Sequence, residues 1–531
     1  MITNFIKNKK NLSLITVGIS LGIISAILNS SIIPIINKTI FSSDINYTLI
    51  VFVFLLCILS KIISQKIMVK LSVLAIEDIR VWFSKVLYKS NVEEIEKKGN
   101  SKLLVNFKED IYNISEGISA IPEAIISSIT VISLCIYIFI ISYKIFFISI
   151  ISLLIIFIFM LIINKISEKY LIKERSSNIQ LYSNIESYIK SIKMLKMSRQ
   201  KKEYFNEKIF YKLFTEISSL TKKTNNFIFF SQAVSEIYIM ILIIIVIIVS
   251  KSIFNHSLEV ITGSIFCIIY ITGTISNFSN ILQTILRSKV SSKNLIDTSQ
   301  ELGLDGIKYN LIDSTKHISE IKLENICHKF KESEFNIGPI NYQFISGNIY
   351  YIVGGNGSGK TTISKIISLL YKPTEGTILI NNEIVNEDNT FYFRNHICLV
   401  EIECNIINRL DLYINTSEKK EKFNKLLKVF KLDEKIEIKS NIINNLSYLS
   451  SGQKKRLYLT LSILDDDKSV YIFDEWAAEQ DPIFKEYFYS DILSYLKKKN
   501  KIIIIITHDD QYFKLADNTL KINYGKIEHV K

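Results

Sequence analysis

The chain has 531 residues, enough for two or three domains, and carries 64 Lys and Arg against 51 Asp and Glu, a formal net charge of +13. It is 48% hydrophobic, too apolar for an ordinary soluble enzyme of this length, and its 5 prolines and 17 glycines argue against long disordered linkers. The six cysteines (Cys57, Cys135, Cys267, Cys327, Cys398 and Cys404) include no C-x-x-C pair, which argues against a disulfide framework and a zinc site.

In chain order, residues 1–285 hold apolar stretches at 12–36, 47–64, 121–141, 145–163, 227–249 and 258–278. Each is close to the roughly 20 residues that a membrane-crossing helix needs. The first is too long for a secretory leader and lacks a small-residue cleavage site. Between the spans, residues 65–120 carry Lys66, Lys70, Arg80, Lys85 and Lys89, and residues 166–225 carry Lys169, Lys173, Arg175, Lys201 and Lys202. The short connections near Lys38, Lys144 and Lys251 carry little charge. The cation excess marks both long loops, and both termini with them, as cytoplasmic. These cations flank membrane spans and face anionic lipid, which explains the net charge without a nucleic-acid partner.

Glu236 lies well inside the fifth span, with Gln232 four residues earlier on the same helix face. An ionisable group at that depth is costly. Two readings stand: the pair lines a cavity and touches cargo, or the helix overruns the membrane and Glu236 sits among headgroups. Met194 and Met197 read as packing residues.

Past residue 285 the pattern changes. Residues 286–317 are polar and poorly periodic, a linker. From Ile318 onward strands and helices alternate, and "IYYIV" (349–353), "SVYIF" (469–473) and "KIIIIIT" (501–507) are continuous apolar runs. Strands buried on both faces of a parallel sheet read this way. The expected fold is an α-helical six-span transmembrane domain, 1–285, the linker, and an α/β domain, 318–531, which the next motif makes a P-loop domain.

The first of those strands runs into "GGNGSGKTT" (354–362), which fits G-x-x-x-x-G-K-[ST] at Gly354, Gly359, Lys360 and Thr361 and includes Asn356, Gly357, Ser358 and Thr362. Its glycines let backbone N–H groups close around a polyphosphate, and the following helix aims its positive end at the same charge. Lys360 is placed to reach the β- and γ-phosphates, and Thr361 to offer its hydroxyl to Mg²⁺. The strand at 469–473 ends in Asp474 and Glu475. Beside a phosphate loop, Asp474 belongs in the Mg²⁺ shell and Glu475 beside the attacking water.

With "YLSSGQKKRL" (448–457) added, the set resembles the ATP-binding cassette (ABC) family over the whole C-terminal domain, in that family's motif order. The resemblance implies ATP and Mg²⁺ as ligands. It implies that Phe330 stacks on adenine and His508 contacts the γ-phosphate. Ser450, Ser451, Gly452 and Gln453 would press on the ATP of the other subunit, and Asp481 would close the loop after Glu475. Six helices ahead of a cassette match an exporter half-transporter, so a second copy of the chain is the expected partner. "NVEEIEKKG" (91–99) and "SYIKSIKMLKMS" (187–198) would be its coupling helices. "LSSGQKKRL", "FDEWAAEQDP" and "ITHDDQYFKLAD" look, more narrowly, like the cyclic-peptide exporter branch, with relatives of the syringomycin, pyoverdine and lasso-peptide exporters. Trp476-Ala477-Ala478 stands where most cassettes have Pro-Thr-Ser. One position departs from the family: Ile402 falls where many cassettes carry a Mg²⁺-contacting Gln, and Glu403 or Glu401 is the available substitute. Glu479 reads as a solvated or dimer-facing acid.

The expected activity is ATP-driven export of a peptide-like cargo, a cyclic peptide or siderophore-related molecule, across a bacterial inner membrane. A lipid or glycolipid flippase, or a broad-range drug exporter, would share the same parts. An ATP-gated channel or membrane sensor with little hydrolysis is opposed by the intact Glu475 and His508.

Overall fold

Few residues in the first three hundred can stop a helix, and the computed structural model, which describes residues 9–41, 47–303, 317–330, 335–401, 405–464 and 467–530, shows the consequence. Contacts divide the chain into two units, residues 1–90 with 94–304, and residues 91–93 with 305–531.

The first unit is helical: α1 (Lys9–Phe41), α2 (Tyr47–Lys89), α3 (Val92–Lys98), α4 (Asn100–Val105), α5 (Ile111–Ile141), α6 (Tyr143–Lys190), α7 (Ile192–Met197), α8 (Arg199–Tyr204), α9 (Tyr211–Ser252) and α10 (Leu258–Glu301). Two π-helical segments, Asn106–Asp110 and Phe205–Phe210, join α4 to α5 and α8 to α9. The helical stretches include 6 that are long and apolar enough to cross a membrane.

The segments 65–120 and 166–225, read from their charge as loops, are mostly helix. Neither contains proline, and their Lys, Glu, Leu and Ile are good or tolerable helix residues. Charge ends the hydropathy signal without ending the helix. Breaks fall where local chemistry supplies them. Gly99 has φ 73°, and the Ser198 hydroxyl accepts from the Lys201 N–H to cap α8. The stretches expected to be coupling helices therefore contain short separate helices, α3 and α7. The linker reading also shortens, because α10 runs on to Glu301, past residue 286.

Polar pairs tie these helices together. Arg175 on α6 is 15% exposed and Asp110 1%. The guanidinium donates to both Asp110 oxygens, at 3.1 and 2.6 Å, and to Asn106 Oδ1 at 3.1 Å. An apolar cavity of about 890 Å³ opens between α5, α6 and α10, walled by Cys135, Phe139, Phe157, Met160 and Phe278 among others.

The second unit is α/β. Its strands are β1 (Glu320–Lys329), β2 (Asn336–Ile345), β3 (Ile349–Val353), β4 (Glu375–Ile380), β5 (Glu383–Ile384), β6 (Ile397–Val400), β7 (Ile438–Lys439), β8 (Ile442–Ile443), β9 (Val470–Asp474), β10 (Ile502–Ile506), β11 (Asn518–Asn523) and β12 (Lys526–Val530). Its helices are α11 (Lys360–Ile367), α12 (Thr390–Asn395), α13 (Ser417–Val429), α14 (Ser451–Ile463), α15 (Pro482–Tyr487) and α16 (Leu493–Lys498). One sheet has the order β12-β11-β3-β10-β9-β6, and its strands are parallel except β12. An antiparallel sheet, β2-β1-β4-β5, stands beside it.

The apolar runs are strands buried on both faces. Alternate residues divide between two cores, as the two-residue period of a strand requires. Tyr351, Tyr471, Phe473, Ile503 and Ile505 pack with Leu457 and Leu461 of α14, whereas Tyr350, Ile352, Ile472 and Ile504 pack with Ile363 and Ile366 of α11.

Candidate nucleotide-binding site

The site is set by where three neighbouring strands stop. β10 lies between β3 and β9, with Ile506 in register with Ile352 on one side and Asp474 on the other. The turns that follow these strands therefore share the carboxyl edge of a parallel sheet, the usual place for a ligand in such folds. They carry Gly354–Thr362, Asp474–Glu475 and Thr507–His508.

The phosphate loop needs its glycines. A Cβ at Gly354 would collide with the carbonyl oxygen of Ile522, and Gly359, at φ 102°, precedes α11 in the left-handed region. Gly355, Asn356 and Gly357 form an exposed tip. Lys360 is buried, and its ammonium donates to the carbonyls of Gly354 and Gly355 at 2.9 Å each. Ser358 Oγ is buried without a hydrogen-bond partner among the described residues. Thr362, one turn into α11, is half-buried.

Asp474 is 1% exposed and accepts a hydrogen bond from the Thr361 side chain, while its Oδ1 is buried without a partner among the described residues. Burial pushes its carboxyl up to about 6; Thr361 and Lys360 oppose that rise, and Glu475 and Glu401 add to it. A buried carboxylate oxygen with no donor, beside a threonine hydroxyl, is a donor pair suited to a hard divalent cation whose other ligands are phosphate oxygens and water. These residues fit Mg²⁺. Glu401, directly after β6, is close enough to Asp474 to shift it, whereas Ile402 and Glu403 lie outside the described residues.

Glu475 has φ 50° and ψ 34°, a conformation few L-residues adopt, and its N–H donates to Ile506 O at 3.0 Å. Its Oε1 is 3.4 Å from His508 Nε2. The His508 turn is braced from behind: Asp509 takes Lys485 at 3.1 Å and the Tyr489 hydroxyl at 3.2 Å. Phe330 is half-buried and stacked 6.4 Å from Phe335, which in turn lies against Gly359. Phe335 was missed in the sequence; the aromatic spacing of "FKESEF" was the available signal.

Ser450 and Ser451 are exposed at the start of α14. A reciprocal capping box orders that end: the Gln453 N–H donates to Ser450 Oγ at 3.2 Å, and the Ser450 N–H donates to Gln453 Oε1 at 2.9 Å. No hydrogen bond or ion pair among the described residues joins this segment to the phosphate loop of the same chain. The turn after Glu475 grips it instead. The Trp476 indole N–H donates to Lys455 O at 3.2 Å, and Gln480 Nε2 donates to Gly452 O at 3.2 Å. The buried Lys455 ammonium is 3.6 Å from Glu479, and Arg456 lies 3.5 Å from Asp481 and over the Phe484 ring at 3.9 Å. Asp481 also caps α15, accepting from the Phe484 N–H at 3.1 Å. Sequence reading passed over Lys455 and Gln480, because their partners are more than twenty positions away.

The Glu236 pair is elsewhere, in the helical unit. Gln232 Nε2 donates to Asn280 Oδ1 at 2.9 Å, and Ser276 Oγ donates to Glu236 Oε1 at 3.3 Å, so both face α10. Glu236 is exposed.

A phosphate loop, an acid pair and a histidine on one parallel edge, following six membrane-length helices, define a membrane transport ATPase. The family models agree: residues 11–287 match the ABC transporter transmembrane region and residues 337–478 the ABC transporter ATP-binding model. The chain belongs to the ABC transporter family. It is similar to ATP-binding protein SyrD of Pseudomonas syringae pv. syringae, at 26% identity over 465 residues, 85% of this chain and 81% of that protein. It is also similar to energy-coupling factor transporter ATP-binding protein EcfA1 of Mesomycoplasma hyopneumoniae (strain 7448), at 31% identity over 221 residues, 39% of this chain and 79% of that one. The structure of a bacterial Atm1-family ABC exporter with ATP bound has the same fold, with a TM-score of 0.79 at 13% identity over 98% of this chain and 95% of that one. The protein is thus an integral membrane ATPase with the architecture of an exporter half-transporter, binding ATP and using it for transport.

Proposed function

We propose that the chain works as a homodimer in a bacterial inner membrane, cassette and termini cytoplasmic, and exports a peptide-like cargo. Its membrane domain, read from sequence as 1–285, would extend through α10, and its cassette would begin near Ile318. The observation that carries the reading is the carboxyl edge itself, where the phosphate loop, Asp474, Glu475 and His508 meet while the α14 N-terminus stays exposed and capped. An exposed signature with no bond to its own phosphate loop suits an ATP held by a second copy.

In this reading Gly354–Thr362 cradles the phosphates and Lys360 swings from two carbonyls to phosphate oxygens. Phe330, with Phe335 behind it, walls the base. Thr361 and Asp474 would hold Mg²⁺, with Glu401 standing in for the family's Gln, and the ion would supply charge neutralisation at the phosphates. Glu475 orients the attacking water, His508 holds Glu475 and reaches the γ-phosphate, and Ser450–Gln453 and Asp481 serve the shared interface. Cargo type rests on the resemblance of the "FDEWAAEQDP" turn to the cyclic-peptide exporter branch. The test is uptake of labelled cyclic peptides into proteoliposomes with outward-facing cassettes. Uptake that needs ATP and is lost in Glu475→Gln is the expected result. Lipid scrambling without peptide uptake would replace the exporter reading by that of a flippase.

A further inference from the structure

The helical unit holds a second cavity, of about 520 Å³, formed where α2, α5, α6, α10 and the first π-helical segment meet. That volume lies within the range of small-ligand sites, about 300–1,000 Å³. Its chemistry is the opposite of the apolar cavity's. Arg80, Lys108 and Arg287 line it, with Glu109 and Glu174 among them, and its aliphatic wall is Leu171 and Val290.

The charges are not mutually cancelled. Asp110 and Arg175, also on the wall, close on each other in the buried fork. Glu174 accepts from the Thr221 hydroxyl at 2.7 Å and Glu109 from the Asn178 amide at 3.4 Å, both neutral donors. Arg80, Lys108 and Arg287 form no ion pair among the described residues. Among the described residues the wall thus presents three cations without a carboxylate partner, of which Lys108 lies over the Tyr182 ring at 5.9 Å, and two carboxylates held only by neutral groups. The π-helical turn that brings Lys108 and Glu109 to the cavity is a feature that recurs at functional sites.

We propose that this cavity is a cargo site, and that it takes a peptide segment carrying a carboxylate and an amine close together. The carboxylate meets Arg80, Arg287 and Lys108; the ammonium meets Glu109 and Glu174. The inference rests on the transporter reading above and places cargo recognition away from Glu236. A lipid is the poorer fit, because Leu171, Val290 and the Tyr112 ring give an acyl chain little to pack on and the two acids repel its phosphate.

The test uses the full chain in phosphatidylcholine nanodiscs and a fluorescent blocked hexapeptide with adjacent Glu and Lys. Two comparison peptides replace Glu by Gln and Lys by norleucine. The expected result is at least about ten-fold weaker binding of each comparison peptide. The Arg80→Gln/Arg287→Gln variant should lose the preference for Glu and keep that for Lys; Glu174→Gln should do the reverse. Both arginines are exposed. A thermal midpoint close to wild type confirms folding, and Lys108→Gln serves as an independent variant. Equal binding of the three peptides, or a Glu preference that survives in the double variant, overturns the proposal. Stabilisation by phosphatidylglycerol that the double variant loses, without peptide discrimination, also overturns it and assigns the cavity to lipid. ATP hydrolysis by the wild type in the same nanodiscs separates the two levels. If hydrolysis is absent, the transporter reading fails; if it is present without peptide discrimination, only the cargo site does.

Discussion

Glu475 sits in a left-handed conformation that ties the end of β9 to the end of β10 and aims its carboxylate at His508. Replacing it with Gln keeps the size and hydrogen-bonding reach and removes the charge. Glu475→Gln should still bind ATP, with steady-state hydrolysis reduced about 100-fold or more, the scale of a lost general base. Near wild-type turnover in the purified variant would reject the role. Asp474 makes a different prediction. Its folded value of about 6 lies above the ordinary 3.8, so the nucleotide-free protein holds that proton more tightly than the unfolded chain does. The carboxyl therefore costs nothing below about pH 4, and the cost grows as pH rises to 6 and is complete above it. At about 1.4 kcal/mol per unit the cost is on the order of 2–3 kcal/mol. Asp474→Asn should raise the thermal midpoint of the nucleotide-free protein at pH 8 and leave it nearly unchanged at pH 4, while abolishing Mg²⁺-dependent hydrolysis. A midpoint gain equal at both pH values would refute the buried-charge argument. At this scale the phosphate loop and the acid pair were legible because each is contiguous and fixed in spacing. Glu401 and Phe335 were less so, because whether an acid after β6 comes within reach of Asp474, and which aromatic lies on Gly359, depends on backbone direction.

At the scale of elements, charge masked long helices. Residues 65–89 continue α2 without a break, although hydropathy stops near residue 64. The parallel strands were legible because continuous Ile, Val and Tyr runs admit few other environments. The grip of the 476–480 turn on α14 was not, since it is made by a tryptophan N–H and a glutamine amide reaching distant backbone carbonyls. Trp476→Phe keeps a ring on Phe488, now stacked at 4.3 Å, and removes the donor to Lys455 O. It should cost about 1–3 kcal/mol for the stranded buried carbonyl and lower turnover several-fold with little change in ATP affinity. If kcat is unaltered, the turn does not position α14. In the helical unit, Arg175→Met alone leaves the Asp110 carboxylate buried and should cost about 3–5 kcal/mol; adding Asp110→Leu should recover most of it. Thermal midpoints of the single and double variants decide this.

For the whole molecule, the question is whether two copies share their sites. Lys360→Ala removes the phosphate-loop cation. Gly452→Asp blocks the signature, where a Cβ would already stand 3.0 Å from Glu479 O. Each variant should be inactive alone. Co-reconstituted, mixed dimers pair the intact phosphate loop of one copy with the intact signature of the other. About a quarter of wild-type hydrolysis should return, since half of random pairs each hold one complete site. No recovery would mean that the sites are not shared between copies.

The capping box on α14 has a further consequence. Ser450 and Gln453 already fix each other's backbone, so the segment that the proposed dimer would offer to a partner's nucleotide is ordered before anything meets it. Little conformational entropy would then be left to lose if two cassettes close as proposed. The Ser450 hydroxyl accepts in the cap and still has its proton to donate. Closure would thus resemble the fitting of two finished surfaces, with its speed set by diffusion of the cassettes and not by the folding of a loop.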